Sequence, residues 1–365
     1  MKWKKCPFGC VFEISDINWA TQSVLPVMIC PVCHRGNAPI QFTAAIGGQA
    51  TRISNEAMIT SLGFGGEKID QLVKERITRL VTVTGFFEST RVSKINAIYT
   101  NLVKLLMNAE LNSNFKAKNI IGLLGAGVMR NMWDFAITDD KYALERDLGE
   151  RQVFGTLSQA IREGETPTAS ERPVYITLNV GNLMQGGASM YGFSYFVYRD
   201  AVKLRCTYLA TDSLQMIRGE VRKAEKDRIG VGVRDLATYA TLPNVLLRVS
   251  DMRLKFLCHQ AGGPVATYND EFIEAHGWGQ INMAQDVKAI IISENELQEF
   301  LSMDLRHVDG VPDSFKNLNA LERKTALDKL KLDLQIFCRE NSIELQFLNL
   351  NMTHVRGTIT RPRVL

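Results

Sequence analysis

The chain reads as an α+β protein, and three observations carry that reading. Short apolar runs bounded by Gly, Asn and Asp fill the stretch from Arg172 to Ser213, as buried strands do. Apolar residues recur at helical spacing from Ile69 to Leu106 and again from Ala320 to Glu340. Two close cysteine pairs sit within the first 33 residues, ahead of either pattern.

Composition sets the bounds. The 365 residues suit two or three compact units with well-buried cores. Hydrophobic residues make up 45% and charged ones 22%, as in ordinary globular proteins. A net charge of +4 is too small to argue for nucleic-acid binding by itself. No apolar run approaches the roughly 20 residues of a membrane helix, and MKWKKCPFGC has no signal-peptide apolar core. The expected location is the cytoplasm, or outside the cell by a route that needs no classical signal peptide.

The first unit expected is a zinc ribbon over residues 1–45. Cys6 and Cys10 form C-P-F-G-C, and Cys30 and Cys33 form C-P-V-C. Two such knuckles match a tetrahedral structural zinc site, with thiolates at about 2.3 Å from the ion. Pro7 and Pro31 follow a cysteine in each pair, which suits a tight turn. His34 is an alternative ligand, and a pair of disulfides would require an oxidising compartment. Lys2, Trp3, Lys4 and Lys5 add a basic, aromatic edge of the kind that binds nucleic acid or protein.

Residues 46–164 read as mainly helical. Ile69, Leu72, Val73, Ile77 and Leu80 share one stripe, and Ile95, Ile98, Leu102, Leu105 and Leu106 another. The run Gly122 to Gly127 fits neither G-x-G-x-x-G nor the phosphate loop with its lysine, so close helix packing is the better reading. Residues 140–165 are charged and helix-prone.

The central stretch follows. Val174 to Leu178 is a β-branched run, Gly186 and Gly187 mark a turn, and Tyr191 to Tyr198 carries Gly192 and Ser194 inside an aromatic run. Glycine in a strand run marks close approach by a ligand or another backbone. Arg172 and Ser194 are therefore candidates for a polar pair at a cleft, the plainer alternative being a core hairpin with Arg172 at the surface. Val245 to Val249 reads as a short strand, and Val287 to Ser293 as another. Asp270, Glu271, Glu274 and His276 cluster at a strand entry, where a carboxylate can orient a hydroxyl or stabilise a cation. A solvated turn is the competing reading. Residues 301–365 hold an amphipathic helix, a strand from Ile343 and a basic tail.

Four motifs stand in order: R-P-x-Y-x-x-L-N at Arg172–Asn179, Y-G-x-S-Y-F-V at Tyr191–Val197, C-T-Y-x-x-x-D-S at Cys206–Ser213, and F-I-E-A-H-G at Phe272–Gly277. Together they resemble a poorly characterised bacterial branch of the ADP-ribosyltransferase-like toxins and effectors. The resemblance covers about residues 165–295 and implies a split β-sheet holding NAD in a cleft over residues 165–300. It implies Glu274 as the catalytic glutamate, Arg172 as the first-strand arginine and Ser194 as the strand serine. Tyr175 or Tyr195 would stack on nicotinamide. Only the first serine of the family's Ser-Thr-Ser triplet is present, since Tyr195 and Phe196 follow it. Phe272 stands where many protein-directed transferases have Gln or Glu.

The implied function is an NAD-consuming transferase or NAD glycohydrolase, with structural zinc, a macromolecular acceptor, and an immunity or chaperone protein as partner. A non-catalytic zinc-ribbon module that binds nucleic acid or protein is the alternative, and a structural or assembly protein the third.

Overall fold

The computed structural model describes residues 2–5, 11–14, 28–29, 36–37, 66–81, 88–120, 127–131, seven positions between 143 and 154, 172–213, 236–264, 266, 269, 271–302 and 317–349. Over these residues the protein is α+β, built on one large mixed sheet. Cys6, Cys10, Cys30 and Cys33 lie outside the described residues, as do Asp270, the run 121–126 and the basic tail.

Two short antiparallel ribbons come first. Strand β1 (Lys2–Lys5) pairs with β2 (Val11–Ile14), and β3 (Met28–Ile29) with β4 (Gly36–Asn37). In the chain, residues 6–10 and 30–35 connect the partners of each ribbon, and each connection carries one cysteine pair.

Helices α1 (Gly66–Leu80) and α2 (Glu88–Asn108) follow. Ile69, Val73 and Ile77 on α1 and Ile98, Leu102 and Leu106 on α2 are buried, so both apolar stripes face the core. The next element departs from the helical expectation for residues 46–164. Glu110–Phe115 is strand β5, and Val128–Met129 is the short β6.

The remaining strands are β7 (Val174–Asn179), β8 (Ser194–Tyr198), β9 (Cys206–Leu209), β10 (Ala237–Thr238), β11 (Ile273–Gly277), β12 (Ile281–Asn282), β13 (Val287–Ser293) and β14 (Glu344–Leu348). Seven of them and β5 form one sheet in the order β10-β9-β11-β7-β5-β8-β13-β14, antiparallel except for the parallel β13–β14 pair; β12 pairs with β6 apart from them. All eight join in one hydrogen-bonded sheet. The sheet takes strands from three of the four segments read in the sequence. Helix α3 (Asp251–Gln260) packs against α1 and α2, and α4 (Glu294–Ser302) precedes α5 (Ala320–Glu340), which leads into β14. Among the described residues no helix is long and apolar enough to cross a membrane.

Val245–Val249 is not a strand. Tyr239–Leu247 is a 3₁₀ segment, opened by a reciprocal capping pair between Thr238 and Thr241 and containing Pro243. Proline removes a ladder donor, so this run suits a tight helix better than a strand interior.

Paired residues share a face of the sheet and neighbours along a strand alternate. One face carries Ile176, Leu178, Leu111, Phe196, Ala275 and Ile290, packed into the main core with the helices. The other carries Tyr175, Thr177, Asn112, Glu274, His276 and Thr207. Towards β8 and β13 this second face turns apolar, with Tyr195, Val197, Ala289 and Ile291 in a small core of their own.

Candidate active site

Glu274 and His276 stand two residues apart on β11, so both project from the polar face. His276 Nε2 lies 2.7 Å from Glu274 Oε1. The Ser213 backbone N–H points at both carboxylate oxygens, at 3.4 and 3.3 Å. Glu274 is only 4% exposed and His276 fully buried. Burial pushes the Glu274 carboxyl up, but the His276 contact, the nearby Arg146 guanidinium and the Ser213 N–H outweigh it and hold it below the ordinary carboxylate range.

Beyond His276 the cluster continues through rings and charges. Tyr175 is directly opposite His276 on β7, ring edge to ring at 5.5 Å. The Tyr175 hydroxyl donates to Glu150 Oε1 at 2.9 Å, and Arg146 lies 3.8 Å over its ring. Burial pushes the Tyr175 phenol well up, so it stays a donor. Arg146 and Asp147 precede Glu150 by four and three residues and Phe154 follows it by four, so one side of a helical segment meets this face. Arg172, from the chain just before β7, donates to Asp147 and to Glu150, with all three side chains buried.

At the other end of Glu274, next to Ser213, Asp212 meets Tyr191, whose phenol is pushed up by burial and by the Asp212 and Glu274 charges. Tyr191 is 50% exposed, donates to Asp212 Oδ2 at 3.3 Å and sets its ring edge 6.2 Å from Phe272. Tyr191 and the exposed Met190 sit on the glycine-rich connection from β7 to β8. Two glycines let that connection lie close on the sheet. A Cβ on Gly187 would come within 2.5 Å of Thr177 Oγ1. One on Gly192, whose φ is +139°, would come within 2.1 Å of the Phe115 carbonyl.

The residues singled out in the sequence fall into two groups. Glu274, Tyr175 and Arg172 belong to one connected cluster, Arg172 reaching Glu274 through Glu150, Tyr175 and His276. Its guanidinium is committed to two carboxylates, so it braces the helical segment. Ser194 stands apart, on the opposite face of the sheet. Val197 is in the Glu274 row, and Ser194, three residues away, points the other way. Its hydroxyl donates to Glu296 Oε2 at 2.8 Å and accepts from the Ser293 N–H at 3.0 Å. Glu296 also takes the N–H groups of Ala117 and Phe193, which makes Ser194 part of a structural tie between α4 and β8. Tyr195 is on the Glu274 face, but buried in the small core with its hydroxyl on the Met184 carbonyl at 2.9 Å. Glu271 is half-buried and takes part in a local turn with Asn269.

His276 was legible in the sequence as part of a titratable cluster, whereas Arg146, Asp147, Glu150, Thr207, Tyr191 and Asp212 were not singled out. A weak signal existed in Arg146 and Glu150, an i,i+4 pair of opposite charge. A cleft of about 890 Å³ opens elsewhere, between α1 and α2, with a charged lining that includes Asp70, Lys74, Arg79 and Arg91. It contains none of the Glu274 cluster. Among the described residues no group of His, Cys, Asp and Glu is placed to hold a metal ion.

The fold and this cluster define a class: an α+β protein with a buried, hydrogen-bonded glutamate–histidine pair on the polar face of a mixed sheet. Residues 108–301, more than half of the chain, match the family described as "Protein of unknown function (DUF3626)", and the chain belongs to that family. The matched range runs from the end of α2 to α4 and contains every residue of the cluster. Comparison with curated proteins finds no match.

Proposed function

We propose that the protein is an NAD-consuming ADP-ribosyltransferase or NAD glycohydrolase of the bacterial toxin and effector kind, with Glu274 as its catalytic carboxylate. One observation carries the reading: against the push of burial, His276, Arg146 and the Ser213 N–H hold the Glu274 carboxyl below the ordinary range on the polar face, next to the exposed Tyr191. In such a reaction the bond between ribose C1′ and the nicotinamide nitrogen breaks, and its electron pair neutralises the pyridinium. An acceptor nucleophile, or water, then bonds to C1′ and loses its proton. A carboxylate that accepts from a ribose hydroxyl opposes the positive charge growing on the ring, and this interaction strengthens only as the bond breaks. Tyr191 is the ring available to stack on nicotinamide, since Tyr175 is half-buried with Arg146 over its ring and Tyr195 is buried. Arg172 and Ser194 serve as braces, one under the helical segment and one between α4 and β8.

The two ribbons support a zinc-binding N-terminus, since each connection between paired strands carries one of the cysteine pairs. Cys6, Cys10, Cys30 and Cys33 would supply four thiolates, and zinc there would staple a segment too short for a core of its own. Metal analysis of the untagged chain should find about one zinc per chain; two disulfides among these cysteines would overturn this assignment.

The activity test is nicotinamide release from NAD by the purified chain, with cell lysate as a source of acceptors. Glu274→Gln should lower turnover by roughly 10²–10³ while NAD affinity changes little, because the loss falls on the transition state. Absence of turnover by the wild type, or full activity in a Glu274→Gln variant that melts like the parent, would exclude the mechanism.

A further inference from the structure

The geometry points to His276 as the positioning residue of Glu274, its imidazole fixed as the Nε2–H tautomer by a one-way hydrogen-bond relay that starts at Trp278. This rests on the reading of Glu274 as the catalytic carboxylate.

The direction of the relay is fixed by its two ends, an indole that only donates and an ionised carboxylate that only accepts. An indole N–H can only donate. Trp278 Nε1 lies 3.0 Å from Thr207 Oγ1, so the hydroxyl oxygen accepts there. The hydroxyl's own hydrogen then has His276 Nδ1 within reach, at 3.2 Å. Nδ1 accepts, the ring proton resides on Nε2, and Nε2–H donates to Glu274 Oε1 at 2.7 Å. At 2.7 Å an ionised carboxylate can only accept, so Nε2 carries a hydrogen, and the neutral ring then leaves Nδ1 to accept from the Thr207 hydroxyl.

The surroundings hold the relay in place. Trp278, Thr207 and His276 are buried, so water does not compete for these groups. Thr207 on β9 is directly opposite His276 on β11. Phe154 sets its ring edge-on to His276 at 4.7 Å and to Trp278 at 5.1 Å, while Tyr175 closes the other side. The imidazole cannot flip without breaking two hydrogen bonds and displacing these rings.

The chemical consequence is specific. An imidazole that donates one hydrogen and accepts another carries no net charge. It orients the carboxylate and favours its ionised form without cancelling its negative charge, which stays available to oppose a developing oxocarbenium. A cationic partner at 2.7 Å would spend that charge on itself. His276 therefore acts through Glu274 and need not touch substrate.

The test reads the tautomer and the carboxylate separately from turnover. With ¹⁵N-histidine in the full chain, the His276 signals, identified by their loss in a His276→Gln variant, should show Nε2 protonated and Nδ1 unprotonated near about pH 7.5. Thr207→Val should mix the tautomers. In ¹³C-labelled protein, His276→Leu should raise the Glu274 titration midpoint, and His276→Gln, whose amide N–H can take the Nε2 place, should restore part of the shift. In the NAD assay His276→Leu should lower kcat about tenfold or more with KM nearly unchanged, and His276→Gln should recover part of the loss. An Nδ1–H tautomer in the wild type, or a Glu274 midpoint that ignores His276→Leu, overturns the inference, even if the Leu variant folds poorly, since the first readout uses the parent protein. Absence of NAD turnover by the wild type would instead overturn the reading of function and leave the relay to be judged by the two spectra.

Discussion

On β7, Ile176 and Leu178 enter the helix-packed core while Tyr175 and Thr177, one residue away, enter the polar cluster. The two faces of this sheet solve opposite problems with one backbone. The apolar face needs only shape: its side chains are removed from water by α1, α2 and α3 with no demand for partners. The polar face must find an acceptor or donor for each group it buries. Tyr175 uses Glu150, Thr177 uses the Asn112 carbonyl, and Asn114 donates to the carbonyls of Gln185 and Gly192 and accepts from the Ala188 N–H. Chemistry is placed on the face where directional bonds already fix each side chain, and stability is left to the other.

That division can be broken most severely at Arg172. Its guanidinium is buried between Asp147 and Glu150, and Arg172→Ala leaves two buried carboxylates without it. The expected loss is about 3–5 kcal/mol of unfolding free energy, read by denaturant titration. A loss below about 1 kcal/mol would mean that the polar cluster is not a unit. Because the fold is the first casualty, a drop in NAD affinity in this variant says nothing about a direct grip on the dinucleotide unless the variant still melts like the parent.

The apolar face should yield less at a single site. Leu178→Ala removes a buried side chain opposite Leu111 and Ile273, and about 3 kcal/mol is expected from lost transfer energy and the cavity left behind. The same variant should leave the His276 tautomer as in the parent, because Leu178 and His276 project from opposite faces. A changed tautomer would show that the two faces are coupled through the backbone.

How much of this was legible in the sequence follows the same division. The helix Ala320–Glu340 was readable from its amphipathic pattern; its start, where Asn319 accepts from the N–H groups of Leu321 and Glu322 while Glu322 reaches back to the Asn319 N–H, came from the structure. Strands β7, β8, β9 and β13 were readable as apolar runs between turn residues, whereas β11, Ile-Glu-Ala-His-Gly, showed only as a titratable cluster at a strand entry. Strand β5 was not. Its sequence Glu-Leu-Asn-Ser-Asn-Phe alternates, but two asparagines depress strand propensity, and only the sheet reveals that they belong to the polar face. In the site, Glu274 and His276 were legible as members of a titratable cluster, and it is β11 that places both on one face. The face of Ser194 was not, because all five residues of β8 are buried and alternation carries no polarity signal there. The partners of Arg172 lie 22 and 25 residues away, and no local pattern links charges across that distance.

The smallest effect expected is also the one that separates the faces most cleanly. Gln185 is 1% exposed, on the connection that lies over the polar face, and neither atom of its side-chain amide has a partner among the described residues. A buried amide without hydrogen bonds carries a desolvation cost of about 1–3 kcal/mol. Methionine has nearly the same length and no such cost, and the bond from Asn114 goes to the Gln185 main-chain carbonyl, which the substitution keeps. Gln185→Met should therefore leave stability unchanged or raise it by about 1 kcal/mol, the imperfect fit of the new side chain offsetting part of the gain. Asn114→Leu is the contrasting variant, since its amide makes three bonds, and it should destabilise by about 1–3 kcal/mol. Denaturant titration of the two side by side gives the comparison. If Gln185→Met costs as much as Asn114→Leu, the Gln185 amide is satisfied by a buried water, and the polar face is closed at every group rather than at all but a few.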